Sequence, residues 1–156
     1  MRKAPCTWVL LADSRQGRLL VGTRTHRGSP HFEEIARIDL EVEAGRSSGE
    51  AESPSKLGHR DGVTSHEARE RLHRSVRQLA SWLHEQTQNL SLGRVHVFSP
   101  SRISAALHRF ATPRLRRCIL PSEGDYGWLS AGQMASHPRF RHLVPGRFDQ
   151  ERSIGA

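Results

Sequence analysis

Between Gln86 and Ser122 the chain carries Arg94, Arg102, Arg109, Arg114, Arg116 and Arg117 and no aspartate or glutamate. A guanidinium is planar and permanently charged, and its N–H groups form a fork that matches phosphate or carboxylate. Arg102 and Arg109 are seven residues apart and therefore share one face of any helix that carries them. Arg114, Arg116 and Arg117 follow at once. Gathered on one surface, these side chains make an electropositive patch whose phosphate contacts give affinity without a choice of base sequence. The aromatic residues nearby, Phe98 and Phe110, are expected in the core, so this segment does not indicate base stacking.

Other groupings have weaker claims to chemistry. His59-Arg60-Asp61 has residue types that can move protons, but no motif pairs a serine or cysteine nucleophile with it. His66 and His73 share a helix face, yet helical metal ligands normally sit three or four apart with a carboxylate partner. No metal site is expected, and the histidines are read as surface or loop residues. Asp13 closes the first apolar run. With Glu123 and Asp125 it offers a route to a magnesium-dependent nuclease, which needs several converging carboxylates. A strand-end aspartate is more commonly a turn former.

These residues must be positioned by one domain, the size that 156 residues allow. The hydrophobic share is 35%, and part of the shortfall falls in one polar stretch, Gly45 to Ser65. The formal charge is +8, and only Lys3 and Lys56 of the 24 basic residues are lysines. Such a charge favours RNA, the ribosome or an acidic protein face as partner, with a merely solvated basic surface as the plain alternative. Cys6 and Cys118 are not spaced as a metal knuckle or redox pair and read as free thiols in a reducing compartment. The apolar run Trp8 to Ala12 is too short for a signal or membrane span. The expectation is a cytoplasmic protein with no membrane partner and no small-molecule cofactor.

The apolar patterning predicts an α/β order. Thr7 to Ala12 reads as a buried strand, Asp13 to Gly17 as a turn, and Arg18 to Gly22 as the second arm of a hairpin. Phe32 to Val42 gives a third strand, with Ile35, Ile38 and Leu40 inward. The stretch 45–65 exceeds an ordinary connection and is either functional or disordered. Thr64 or Ser65 then caps a long helix running to about Gln88, with Ala68, Leu72, Val76, Leu79, Ala80 and Leu83 as its apolar stripe. Arg94 to Phe98 is a fourth strand. A helix with Ile103, Leu107 and Phe110 comes next and is closed by Pro113. Arg117 to Leu120 is a fifth strand ended by Pro121, and Ser130 to Ser136 a short last helix. The domain is expected over residues 1–144, with a loose tail over 145–156.

At this level the chain resembles a known family. Thr7 to Asp13, followed by an arginine-containing turn and a strand, resembles the opening of bacterial host-attachment proteins. Ser65-His66-Glu67-Ala68-Arg69-Glu70-Arg71 resembles their central segment. Arg94 to Pro100, with Leu107 and Phe110 in the next helix, resembles their Val-Ala-Pro strand and the helix after it. Asp125 and Leu129 fall where that family has an acidic residue and a leucine before its last helix. That family is in turn similar to the middle domain of eukaryotic and archaeal peptide release factors and of Pelota-type rescue factors. The resemblance implies a ribonuclease-H-like mixed sheet of about five strands with helices on both faces.

In release factors the loop between the third strand and first helix carries Gly-Gly-Gln, whose glutamine positions water at the peptidyl ester. Here Lys56-Leu57-Gly58-His59-Arg60-Asp61-Gly62 stands in that place, without the motif. Ala131-Gly132-Gln133 lies after the last strand and enters a helix, so it is no substitute. Ser99-Pro100 replaces Ala-Pro-Pro, and Gly124-Asp125-Tyr126-Gly127 replaces Lys-Asp-Leu-Thr. The expectation is a non-enzymatic, release-factor-like domain binding RNA, the ribosome or an acidic protein. Arg102, Arg109, Arg114, Arg116 and Arg117 are the candidate contacts, and His59, Arg60 and Asp61 the loop candidates. The rivals are a metal-dependent nuclease or other hydrolase, and an interaction module dimerising through Trp82 or Trp128.

Overall fold

The computed structural model describes residues 5–40 and 61–146, and of residues 61–65 the backbone alone. Three strands, β1 (Thr7–Ala12), β2 (Gln16–Arg24) and β3 (Pro30–Asp39), precede a long helix, α1 (Asp61–Asn89). Then come β4 (Val95–Ser99), α2 (Ser101–Phe110), α3 (Pro113–Cys118), β5 (Ile119–Glu123), α4 (Ala131–Ser136) and α5 (Pro138–Arg141). The strands form one sheet in the order β3-β2-β1-β4-β5. The pairs β1–β2 and β2–β3 are antiparallel, and β1–β4 and β4–β5 are parallel. The chain is thus an α/β protein with a mixed five-stranded sheet, as its patterning predicts.

β1 is central, paired along both edges, and Val9 to Ala12 are buried. Successive side chains alternate between faces. Leu10 and Ala12 join a core layer with Val76, Leu79 and Leu83 of α1, Ile103 and Leu107 of α2, and Leu115 of α3. Val9 and Leu11 join the opposite layer with Phe32, Phe98, Met134 of α4 and Phe140 of α5. Helices therefore cover both faces. Gly17 lets α1 lie close on the first face: a Cβ there would meet the Leu79 Cδ1 at 2.7 Å and the Ile38 Cγ2 at 3.2 Å.

Four local expectations are corrected. Ile35 is exposed rather than inward, because Leu19 pairs with Ala36 and Leu20 with Glu34. Ile35 is the extra residue of a β-bulge, which breaks the alternation that pointed it into the core. Pro113 does not close α2, which already ends at Phe110. It opens α3, at a position whose missing N–H costs nothing, while the Thr112 hydroxyl accepts from Leu115 N–H. Pro121 lies within β5, opposite Val97, instead of ending it. β5 is an edge strand, where a proline need not donate into a ladder. Finally, α1 begins at Asp61, so Thr64 and Ser65 lie within it rather than capping it. The rest of the polar stretch, residues 45–60, and the tail beyond Gly146 fall outside the described residues.

One buried charge joins two layers. Arg18 of β2 is 6% exposed. Its Nε donates to Glu34 of β3, and its Nη1 donates to the carbonyls of Gly127 and Leu129. Arg37 donates to the same Glu34 carboxylate at 3.2 Å. Burial alone would raise the Glu34 pKa, but the two guanidiniums outweigh it and hold the carboxyl below its usual range. That contribution to stability is present above the usual carboxylate range and is lost as pH falls through the lowered folded value. Replacing Arg18 by Met leaves a partly buried carboxylate and two carbonyls short of donors. It is expected to cost about 2–4 kcal/mol in urea denaturation. Glu34→Gln, at a partly exposed position that still offers an acceptor oxygen, is expected to cost about 1 kcal/mol or less.

Candidate functional site

The strands β1 and β4 run in parallel, and the chain leaves their C-terminal ends in different directions: β1 turns into β2, and β4 feeds α2. In α/β sheets such a parting at the carboxyl ends of strands opens a crevice. Here a cleft of about 410 Å³ lies at that edge, lined by Ser14, Ala68, Arg69, Arg71, Leu72, Ser75 and Arg102. Ser14 is held at the rim by a tight turn. The Asp13 Oδ1 accepts from the N–H of Arg15 at 2.7 Å and of Gln16 at 2.9 Å. Arg102 stands in the first turn of α2, which starts after Pro100 with no side-chain cap on its N-terminus. The third wall is α1. Its 29 residues reach about 43 Å against about 20 Å for a six-residue strand. The helix overhangs the sheet, and residues 66–71 are exposed on the overhang.

The cleft is cationic. Arg71 lies 3.9 Å from Glu67, an exposed pair of small energetic weight. Among the described residues Arg69 and Arg102 make no hydrogen bond or ion pair. An anion placed between them gains charge-assisted hydrogen bonds without first displacing a partner. Sequence reasoning missed Arg69 and Arg71 as site residues because they lie on the long helix, some thirty residues before Arg102 and outside the acid-free run from Gln86 to Ser122.

The structure divides the predicted arginine set. Arg102 is at one end of α2 and Arg109 at the other, about 10 Å along the axis. Arg116 donates through its Nε to the His108 carbonyl at 2.8 Å and through Nη2 to the Arg109 carbonyl at 3.2 Å. It satisfies the end of α2, a structural role. Arg109 and Arg77 flank Phe110, with guanidinium carbons 5.8 and 4.7 Å from the ring centroid. Arg114 and Arg117 are exposed on α3. Of the loop candidates, His59 and Arg60 lie outside the described residues, and Asp61 is the first residue of α1.

The carboxylates stay apart in role. A Cβ on Gly127 would come 3.0 Å from the Asp13 Oδ2 and 3.9 Å from the Asp125 Oδ1, so these two groups flank that glycine. The Asp13 Oδ1 is committed to its turn. Among the described residues no three His, Cys, Asp or Glu side chains converge as a metal site would require. His73 packs edge-on against Phe110 at 5.3 Å. Gln133 of the Ala-Gly-Gln triplet closes a capping box with Ser130, each side chain accepting from the other's backbone N–H. Cys6 and Cys118 are free thiols, and no helix among the described residues is long and apolar enough to cross a membrane.

Comparison with protein-family models finds no match, and comparison with curated proteins finds none either. The class is therefore read from fold and site: an α/β domain with an arginine-lined cleft at the carboxyl edge of its parallel strands.

The opposite edge carries a second depression, lined among others by Cys6, Arg94 and His96. Burial pushes the His96 pKa below its ordinary value, because the imidazolium is poorly hydrated there. A base with a lowered folded pKa binds fewer protons folded than unfolded, so stability falls as pH drops below about 6.5. The fall ends below the folded value. His96→Gln removes this contribution. Between about pH 7.5 and 5 the wild type is expected to lose stability relative to the variant, read as paired urea midpoints across that range.

Proposed function

We propose that this chain is a non-enzymatic binding domain of host-attachment type, built on a ribonuclease-H-like sheet akin to the release-factor middle domain. It holds RNA, free or in the ribosome, by its phosphates. The observation that carries the reading is the cleft itself. Arg69 and Arg102 have no partner among the described residues, and they stand with Arg71 at one strand edge of a chain whose formal charge is +8. The strand order 3-2-1-4-5, with an antiparallel opening and parallel β4 and β5, supports the ribonuclease-H-like assignment. The sequence between β3 and α1 holds no Gly-Gly-Gln, and Gln133 serves a helix cap, so peptide release has no glutamine behind it. A nuclease reading has less support, since Asp13 is a turn former and Glu123 and Asp125 complete no cluster with it among the described residues. The reading puts the chain in the cytoplasm, where RNA and ribosomes are available to it.

The test is binding to single-stranded RNA and to ribosomes over a salt series. Replacing Arg69, Arg71 and Arg102 together by Gln is expected to reduce the slope of log K against log salt by about 2, at about 0.7 for each phosphate neutralised by one of these arginines. Arg114→Gln with Arg117→Gln, on α3 and away from the cleft lining, is expected to leave the slope nearly unchanged. A slope untouched by the triple change rejects the cleft as the phosphate site. Binding confined to an acidic protein rejects RNA as the partner.

A further inference from the structure

Arg18 is buried in order to hold two carbonyls, and the residue between them points outward. Gly127 and Leu129 both accept from its guanidinium, and Gln16 Nε2 adds a second bond to the Gly127 carbonyl at 3.3 Å. On either side the chain is anchored inward. Leu129 is 3% exposed, and Tyr126 packs edge-on against Phe98 at 5.8 Å and Phe140 at 5.1 Å. Gly124 turns the chain into this segment at φ +147, a conformation side-chain-bearing residues rarely adopt. Trp128, between these anchors, is 69% exposed. Its Nε1 donates to the Asp125 carbonyl at 3.0 Å, which fixes the indole against its own turn and leaves ring surface free. The most exposed large apolar side chain among the described residues thus sits on a turn whose flanking carbonyls are hydrogen-bonded to Arg18.

Its surroundings indicate what it meets. Gly127 abuts Asp13 and Gln16, so the Trp128 turn adjoins the rim that carries Ser14 of the cationic cleft. Arg15 is exposed on the same β1–β2 turn. Arg139 reaches the carbonyl of Glu123 at the end of β5. A flat aromatic platform on the turn that adjoins the arginine-lined cleft fits an unpaired base whose phosphate backbone lies in that cleft. Stacking accepts any base, because each has a π face, while duplex RNA keeps its bases inside.

We propose that Trp128 is a stacking platform for an unpaired base, so that the RNA held at this edge is single-stranded. This rests on the RNA reading above and adds the substrate class. The test compares an end-labelled oligouridine of about 12 nucleotides with a duplex of the same length, by fluorescence anisotropy on the full chain. Trp128→Ala is expected to weaken oligouridine binding about 5- to 100-fold, with duplex binding and the salt slope unchanged. Trp128→Phe is expected to recover most of the affinity and guards against an indirect effect of removing the ring. Equal weakening on oligouridine and duplex overturns the proposal. So does oligouridine binding that survives Trp128→Ala but falls with the cleft arginines, an outcome that leaves the RNA reading standing. Failure of the wild-type chain to bind either RNA removes both. A doubled mass in sedimentation that Trp128→Ala halves, with RNA affinity unchanged, assigns the indole to a second copy of the chain and overturns the proposal.

Discussion

β1 is paired on both edges and covered on both faces, and the rest of the molecule is arranged around that condition. Its residues Val9 to Ala12 are almost wholly shielded from solvent, so both layers of helices must supply apolar partners. The parallel pairing of β1 with β4 requires a crossover, and α1 provides it by running back across the sheet. A helix that returns in this way starts at the carboxyl edge of the strands, and α2 starts there too. Two arginine-bearing helix beginnings thereby meet the β1–β2 turn. The cleft is a consequence of strand connectivity before it is a consequence of any single side chain.

Arg18 imposes the second constraint. A guanidinium in a strand interior is unfavourable unless its donors are matched, and here Glu34, Gly127 and Leu129 match them. No buried side-chain nitrogen or oxygen among the described residues lacks a partner. The bulge at Ile35 belongs to the same region, since it alters which β3 side chains face the layer where Arg18 lies. This arrangement anchors a segment without regular structure, around residues 124–130, to the sheet through the Gly127 and Leu129 carbonyls. Loops that carry function gain precision when a fixed scaffold holds their backbone.

Charge in this protein is used in three ways, and residue type does not separate them. Arg18 and Arg116 satisfy backbone carbonyls. Arg77 and Arg109 cover an aromatic ring. Arg69 and Arg102 line the cleft with no hydrogen bond or ion pair among the described residues. Along the chain, the acid-free run from Gln86 to Ser122 joins members of all three groups into one apparent patch. The separation depends on which carbonyls and rings lie within reach after folding.

The sequence by itself determined the α/β class, the buried character of β1, the hairpin opening, the helix stripe of Val76, Leu79 and Leu83, and the turn role of Asp13. These arise from local periodicity and from side chains that bond to their own backbone neighbours, so a short window contains the cause. Tertiary structure alone decided that Ile35 faces out, that Pro121 sits in a strand, that Arg18 is buried and that Trp128 is not. Each of these depends on a partner distant in the chain: the register against β2, the edge position of β5, and carbonyls more than a hundred residues beyond Arg18. The site was legible in part. Arg102 was visible as a cation on a helix face, whereas its meeting with Arg69 and Arg71 was not, because the helix that brings them there overhangs a sheet whose extent is set by strand pairing.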